Sequence, residues 1–161
     1  MNWGVQKEGA PMRILIAVDQ SPHSERAVRF VSRMRWPAGS RVIVTSVMSP
    51  PLSPPVTGVD AGVSLMVEVS AEQVAETQAR VAEVETTLRA AGIATENRLP
   101  TGDPRDVLLR LVEDERVDLI VLGSHGRTGL AKLLLGSVSS HVVTHAHCSV
   151  LVVKADPHET A

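Results

Sequence analysis

Glycine, serine and histidine cluster between Gly123 and Gly129 of this 161-residue chain, directly after an apolar run. A second pair of small residues, Gly136-Ser137, opens the helical pattern that follows. Glycines let a backbone turn sharply and approach a ligand closely, and the N–H groups at a helix start have no partner within the helix. Such amides and the helix dipole favour an anion such as phosphate. The pattern therefore predicts an anion seat made by the free amides of Gly136, Ser137 and Val138.

Two interpretations of these residues stay open at this level. In the first, the loop holds phosphate, and Arg127 adds a charge-assisted contact. In the second, the glycines only form a tight connection between a strand and a helix, with Ser137 as the helix cap. Standard nucleotide motifs do not decide between them, because the chain has no G-x-x-x-x-G-K-[ST] sequence and no G-x-G-x-x-G after its first apolar run.

A carboxylate, Asp19, ends the first apolar run of the chain. At the end of a strand it is well placed to bind a hydroxyl group or Mg²⁺. The alternative is that Asp19 or Ser21 caps the helix that follows.

Histidines form another group of candidates. His141 and His145 lie four residues apart on a predicted helix, a spacing that suits zinc, with His147 and Cys148 just beyond. Ordinary surface residues are the preferred interpretation of that group. His125 lies in the glycine loop, where it would contact phosphate or act as a base. We expect instead a mobile, exposed imidazole, and no Ser-His-Asp or Cys-His set is evident.

Apolar, β-branched runs alternate with helical patterns along the chain, which predicts a parallel sheet with helices on both faces. The predicted strands are 13–18, 41–47, 95–99, 118–122 and 149–153, and the predicted helices are 25–35, 65–91, 104–115 and one from 136. Right-handed crossovers and a reversal of winding after the third strand give the order 3-2-1-4-5. That order brings Asp19 and the glycine loop to one crevice.

The spacing Gly123-x2-Gly126-x9-Gly136-Ser137, between Asp118-Leu-Ile-Val-Leu and Ser149-Val-Leu-Val-Val-Lys, resembles the nucleotide-binding signature of the universal stress protein family. The segment Ile14-Leu-Ile-Ala-Val-Asp19-Gln-Ser-Pro-His-Ser24 is similar to that family's first strand and loop. The resemblance extends from about Pro11 to Lys154. It implies a Rossmann-like, adenine nucleotide alpha hydrolase-like α/β fold and membership of the family's ATP-binding branch.

The resemblance also implies roles for individual residues. The glycines of the motif, with Ser137 and Val138, would hold the phosphates of ATP or another adenine nucleotide. Asp19 would face the ribose or a phosphate-bound Mg²⁺, and the backbone of Val47 would contact adenine. Gln20 replaces a glycine that is common in similar proteins, which puts an unobstructed ribose pocket in doubt. The full candidate set is Val18, Asp19, Val47, Gly123, Gly126, Arg127, Gly136, Ser137, Val138 and Ser139.

Composition excludes several classes of function. Sixteen basic and eighteen acidic residues give a formal charge of −2, so no basic field attracts nucleic acid or an anionic membrane. Three aromatic residues offer almost no stacking platforms, so a bound base would rest on aliphatic walls. One cysteine cannot form an internal disulfide, and no apolar run approaches the roughly 20 residues that cross a bilayer. We expect a cytoplasmic protein that binds neither nucleic acid nor membrane.

The expected organisation is a loose arm over 1–10, a single domain over 11–155 and a tail over 156–161. The last strand, Ser149 to Val153, is apolar on both faces although it lies at a sheet edge, so we expect it to pair with a second copy in a homodimer. The leading functional hypothesis is an ATP-binding stress-response module with at most slow ATP hydrolysis and an unidentified protein partner. The alternatives are a homodimeric interaction module without nucleotide and an enzyme of phosphoryl or adenylyl transfer.

Overall fold

The computed structural model describes residues 9–49, 69–126 and 135–154. Strands and helices alternate along these residues. The elements are β1 (Arg13–Ala17), α1 (Pro22–Arg33), β2 (Arg41–Thr45), α2 (Ala71–Ala90), β3 (Ala94–Arg98), α3 (Pro104–Asp114), β4 (Leu119–Gly123), α4 (Ser137–His145) and β5 (Ser149–Val153).

The five strands form one parallel sheet in the order β3-β2-β1-β4-β5, which confirms the predicted fold. The central strand β1 buries Ile14, Leu15 and Ile16 completely, as expected for a strand that is covered on both faces. Its register places Leu15 opposite Ile43 of β2 and Ile120 of β4.

Alternation of side chains along the strands produces a core on each face of the sheet. On one face, Ile14 and Ile16 pack with the apolar sides of α1 and α2. On the other face, Leu15, Ile43 and Ile120 pack with α3 and α4. Because every helix runs back toward the start of the next strand, the starts of the helices surround the carboxyl ends of the strands.

Side-chain caps fix where the first three helices begin. Ser21 accepts a hydrogen bond from the amide of Ser24 at 3.1 Å, so α1 begins at Pro22 rather than at the predicted residue 25. Ser70 caps α2, so the prediction of a helix from residue 65 is wrong for 69–70, and 65–68 lie outside the described residues. Asp103 caps α3, and its hydrogen bonds from Arg105 lower the pKa of that carboxyl to about 2.

Several predictions concern segments that the structure does not describe. The N-terminal arm falls there except for residues 9 and 10, as do the tail and nearly all of the loop predicted over 49–64. The domain boundaries of 11 and 155 therefore stay a prediction. None of the helices in the described ranges is both long enough and apolar enough to cross a membrane.

Candidate functional site

A cleft of about 390 Å³ lies where β1, β2 and β4 end, at the point where the winding of the sheet reverses. Its volume falls within the range of small-molecule sites. Every residue of the predicted set lines this cleft except Arg127, which lies outside the described residues. The lining comprises Ala17, Val18, Asp19, Gln20, Ser24, Thr45, Ser46, Val47, Ser49, Gln73, Glu76, Thr77, Arg80, Pro104, Leu108, Leu122, Gly123, His125, Gly126, Gly136, Ser137, Val138 and Ser139.

Asp19 lines the cleft just after the end of β1. Its Oδ1 accepts a hydrogen bond from the Ser21 amide at 3.0 Å, and its own amide donates to Ser24 Oγ at 3.0 Å. Its Oδ2 faces Gly126, because a Cβ built on that glycine would lie 3.0 Å from this oxygen. Of the two capping candidates, Ser21 caps α1. Asp19 therefore braces the loop with one oxygen and directs the other toward the glycine loop.

The start of α4 faces the same cleft and has no side-chain cap among the described residues. Its N-cap is Gly136, which corrects the interpretation of Ser137 as the cap. The first bond of the helical series runs from the Ser140 amide to the Gly136 carbonyl at 2.9 Å. The amides of Ser137, Val138 and Ser139 precede it and have no intrahelical acceptor. This first turn is the feature best suited to hold an anion.

One part of the predicted anion seat is wrong. The amide of Gly136 is not free, because it donates to the carbonyl of Ser124 at 2.7 Å. The hydroxyl of Ser139 donates to the same carbonyl at 2.9 Å, so it too has a structural partner. These two bonds fix the start of α4 against the end of β4. The donors available at the cleft therefore begin with the amide of Ser137, and not with that of Gly136 as the sequence predicts.

The three glycines of the motif have different surroundings. A Cβ on Gly123 would lie 2.8 Å from both the carbonyl carbon and the Cβ of His23, so this glycine lets α1 approach β4. Among the described residues, a Cβ on Gly126 would meet the Asp19 carboxylate at 3.0 Å, and one on Gly136 would make ordinary contacts at 3.4 Å or more. Packing therefore requires a glycine at 123. At 126 and 136, the absence of a side chain leaves space in the cleft and leaves the backbone accessible to a ligand.

The bonds of its neighbours indicate that the backbone of Val47 is directed toward β1 and the cleft, whereas its contact with adenine stays a prediction. In a parallel sheet successive residues direct their backbone groups to opposite neighbours. Thr45 accepts from the Val18 amide at 2.8 Å on the β1 side, whereas Met48 pairs with Pro100 and Gly102 on the β3 side. Val47 thus points its N–H and C=O toward the loop after β1, where the cleft opens.

Sequence reasoning missed the contributions of α2 and α3. One face of α2 lines the cleft through residues spaced at helical intervals, and the first turns of α3 add apolar surface. The polar stripe on α2 was a usable signal, because its members recur every three or four residues. The missed residues are Gln73, Glu76, Thr77, Arg80, Pro104 and Leu108.

His125 is partly buried and bonded, so the expectation of a solvent-exposed ring is wrong, whereas its mobility stays a prediction. Its Nδ1 lies 3.2 Å from the hydroxyl of Ser124, and the Nδ1 of His23 lies 3.2 Å from the same hydroxyl. The hydroxyl has one proton, so it donates to one imidazole and accepts from the other. Burial, and then the proximity of His125, lower the pKa of His23. The two rings join the start of α1 to the glycine loop.

His141 and His145 share one face of α4, as predicted, whereas His147 lies beyond the end of that helix. The rings of His141 and His145 stack with centroids 4.2 Å apart, and His145 Nδ1 lies 2.8 Å from the His141 carbonyl oxygen. Within the described ranges no three side chains of the ligand types come together in a way that would hold a metal ion.

The Gly123→Ala variant tests the packing role of that glycine. We expect its free energy of unfolding to fall by about 1–3 kcal/mol, because the new methyl group would overlap the first turn of α1. Denaturant unfolding followed by circular dichroism measures this change. Gly136→Ala is the matched control and should lose about 1 kcal/mol or less. Equal losses in the two variants would show that the contact with His23 is not the constraint.

The family model described as the universal stress protein family matches residues 11–154 of the chain. Universal stress protein MJ0577 of Methanocaldococcus jannaschii is 35% identical over 79 residues, which are 49% of this chain and 49% of that protein. The universal stress protein A-like protein of Arabidopsis thaliana is 39% identical over 69 residues, which are 43% of this chain and 39% of that protein. The chain thus spans about half the length of the curated relatives it matches, or less.

Solved structures resemble the whole sheet. The structure of MJ0577 superimposes with a TM-score of 0.75 at 25% identity and covers 90% of this chain and 96% of its own. A universal stress protein in complex with cAMP gives a TM-score of 0.66 at 25% identity and covers 90% and 98% of the two chains. These likenesses agree with the fold.

Proposed function

Because the chain belongs to the universal stress protein family, we propose that it binds an adenine nucleotide, ATP in the first instance, in the cleft at the ends of β1, β2 and β4. The nucleotide state would alter the glycine loop and so regulate binding to a protein partner. The observation that carries the proposal is the uncapped start of α4 beside an aliphatic pocket. We also propose a cytoplasmic location, where a reducing environment keeps the thiol of Cys148 free.

The first turn of α4 would hold the phosphates. Backbone amides at a helix start donate to anionic oxygens without the need for a cationic side chain. The bonds that Ser124 accepts from Gly136 and Ser139 hold this turn in place before a ligand arrives, so little ordering is needed on binding. Gly126, which also lines the cleft, leaves room for the phosphate chain because it has no side chain.

Asp19 would contact the ribose or a phosphate-bound Mg²⁺. A carboxylate oxygen is a preferred ligand of Mg²⁺ and a good acceptor for a ribose hydroxyl. Asp19 Oδ2 is directed toward Gly126, between the β2 side of the cleft and the start of α4. A bound Mg²⁺ supplies positive charge that offsets the charge of the phosphates.

The aliphatic side of the cleft would hold the base. Its walls come from β1, β2, β4 and the first turns of α3 and α4, and most of their side chains here are aliphatic. Burial of a flat heteroaromatic ring between such walls is favourable in proportion to the apolar area removed from water. The relative in complex with cAMP supports an adenine nucleotide as the ligand. The lining residues are Ala17, Val47, Pro104, Leu108, Leu122 and Val138.

The Ser137→Pro variant tests the amides of α4 directly. Ser137 is the first residue of the helix, a position where proline is favoured and where its missing N–H breaks no helical bond. Gly136, with φ −70° and ψ 166°, already has the extended conformation required before proline. We expect the variant to fold normally and to bind ATP with Mg²⁺ about tenfold more weakly in isothermal titration calorimetry, because a bond to a charged oxygen is lost.

The Ser137→Ala variant is the control, since it removes the hydroxyl and keeps the amide. Its affinity should stay within about threefold of the wild type if the amide carries the contact. Titrations with AMP and cAMP identify the preferred nucleotide. No heat with any of the three nucleotides would reject the proposed function, whereas equal affinities of S137P and wild type would reject α4 as the anion seat.

We further propose that hydrolysis of ATP is at most slow. The chain has no P-loop lysine, and the imidazoles nearest the cleft, His23 and His125, are both bonded to Ser124. Ordinary enzymes turn over at about 1 per second or faster. A steady-state phosphate-release assay with ATP and Mg²⁺ should therefore show a turnover far below that rate. Turnover at that ordinary rate would instead identify an enzyme.

We propose a homodimer through β5. This strand lies at the edge of the sheet with its valines and leucine only partly buried, and α1 packs beside it with Phe30 40% and Met34 42% exposed. An open apolar edge of this kind favours pairing with a second strand. The bond from the Ser124 amide to Val153 at 2.9 Å shows that Val153 faces β4, so Val152 directs its amide outward.

Light scattering at micromolar concentration should give the mass of a dimer for the wild type. The Val152→Pro variant removes an N–H that points outward and makes no bond to β4. It should therefore shift the protein toward monomer while the fold persists. A wild-type monomer would contradict the proposal.

A further inference from the structure

Buried polar atoms without a hydrogen-bond partner are rare in proteins and require an explanation. The described residues contain four such side-chain atoms, and two of them belong to residues that line the cleft, Thr45 Oγ1 and Arg80 Nε. The other nitrogens of Arg80 pair with Glu83 at 3.1 Å and Glu25 at 3.6 Å. Arg80 thus has ion-pair partners through its other nitrogens, whereas the side chain of Thr45 has a single polar atom, and that atom has no hydrogen-bond partner.

The side chain of Thr45 lies on the aliphatic side of the cleft. It follows Ile43 at a spacing of two along β2, so it shares the face that packs against α3 and α4. Its register partners are Ala17 on β1 and Arg98 on β3. Arg98 is the neighbour that could donate to the hydroxyl, but its Nε and terminal nitrogens bond to Glu115, Glu96 and the Asn97 carbonyl.

Bulk water does not supply a hydrogen-bond partner for the hydroxyl either, because Thr45 is 0% exposed. An unpaired buried hydroxyl costs free energy that a valine of the same shape would not. A threonine at this position is therefore unfavourable for packing alone. Its hydroxyl would gain a partner when a polar group of a ligand enters the aliphatic side of the cleft that Thr45 lines.

The order of the strands indicates which part of a nucleotide would reach Thr45. The anion seat lies beyond β4, at the start of α4, and Asp19 follows β1. Thr45 ends β2, on the far side of β1 from β4. A nucleotide with its phosphates on α4 and its ribose at Asp19 would thus extend its base over β2.

We infer that the hydroxyl of Thr45 forms a hydrogen bond with an edge of the nucleobase and determines base specificity in the cleft. The inference rests on the proposed function and adds a residue to its site. Adenine presents an amino donor next to a ring-nitrogen acceptor, and a hydroxyl can pair with either. The bond forms among aliphatic walls, so losing it leaves a base edge unpaired.

The matched variants Thr45→Val and Thr45→Ser separate the hydroxyl from the packing. T45V keeps the shape and loses the hydroxyl, whereas T45S keeps the hydroxyl and loses the methyl group. We expect T45V to bind ATP about fivefold more weakly in calorimetry, and T45S to stay within about twofold of the wild type. The melting temperature of nucleotide-free T45V should rise by about 2–4 °C, because the unpaired hydroxyl is gone. A second variant without the hydroxyl, T45A, repeats the affinity test if T45V folds poorly.

Inorganic triphosphate provides the probe without a base. It should bind T45V and wild type with equal affinity, because it reaches only the anion seat. Absence of any nucleotide binding by the wild type would reject the proposed function itself. Wild-type binding of ATP with unchanged affinity in T45V would overturn only the role of Thr45. Equal weakening in T45V and T45S, or a matching loss with triphosphate, would also overturn it, since packing would then be the cause.

Discussion

The parallel pairing of β1 with β4 is the constraint on which the candidate site depends. These strands are distant in sequence, and two hydrogen bonds hold their pairing at the start. The Asp118 amide donates to the Arg13 carbonyl at 2.8 Å, and the Arg13 amide donates to Asp118 Oδ2 at 2.7 Å. From there the two strands run side by side and end together. Asp19 and the glycine loop lie in one cleft because of this pairing, since the winding of the sheet reverses between these two strands.

A second layer of bonds fixes the loop that follows β4. The carbonyl of Ser124 accepts from Gly136 and Ser139, and the hydroxyl of Ser21 lies 3.3 Å from the carbonyl oxygen of His125. The absence of a side chain at Gly123 lets α1 approach closely enough for His23 to reach Ser124. The described part of the loop is therefore held from both sides by structural contacts. Binding donors on such a support need little reorganisation to meet a ligand.

The sequence predicted the sheet well because the strands are short, apolar and β-branched, and because the handedness of crossovers leaves few topologies. It predicted the position of the cleft for the same reason. Contacts between distant elements were less accessible: nothing in the local pattern shows that the amide of Gly136 is bonded to Ser124. The unpartnered state of Thr45 was equally hidden, because burial depends on α3 and on the neighbouring strands.

The helix starts differ in a way that argues for a ligand at α4. The caps of α1, α2 and α3 are Ser21, Ser70 and Asp103, whereas α4 begins at a glycine without a capping side chain. A serine or aspartate cap is more stable than a glycine cap by roughly a few tenths of a kcal/mol, so the start of α4 is slightly less stable than it could be. The described residues do not exclude a side chain there, because a Cβ on Gly136 would make ordinary contacts with them. A capping oxygen would, however, occupy the amides of the first turn. Glycine at this position leaves those donors available at the cleft, where an anionic ligand can take the place of the cap.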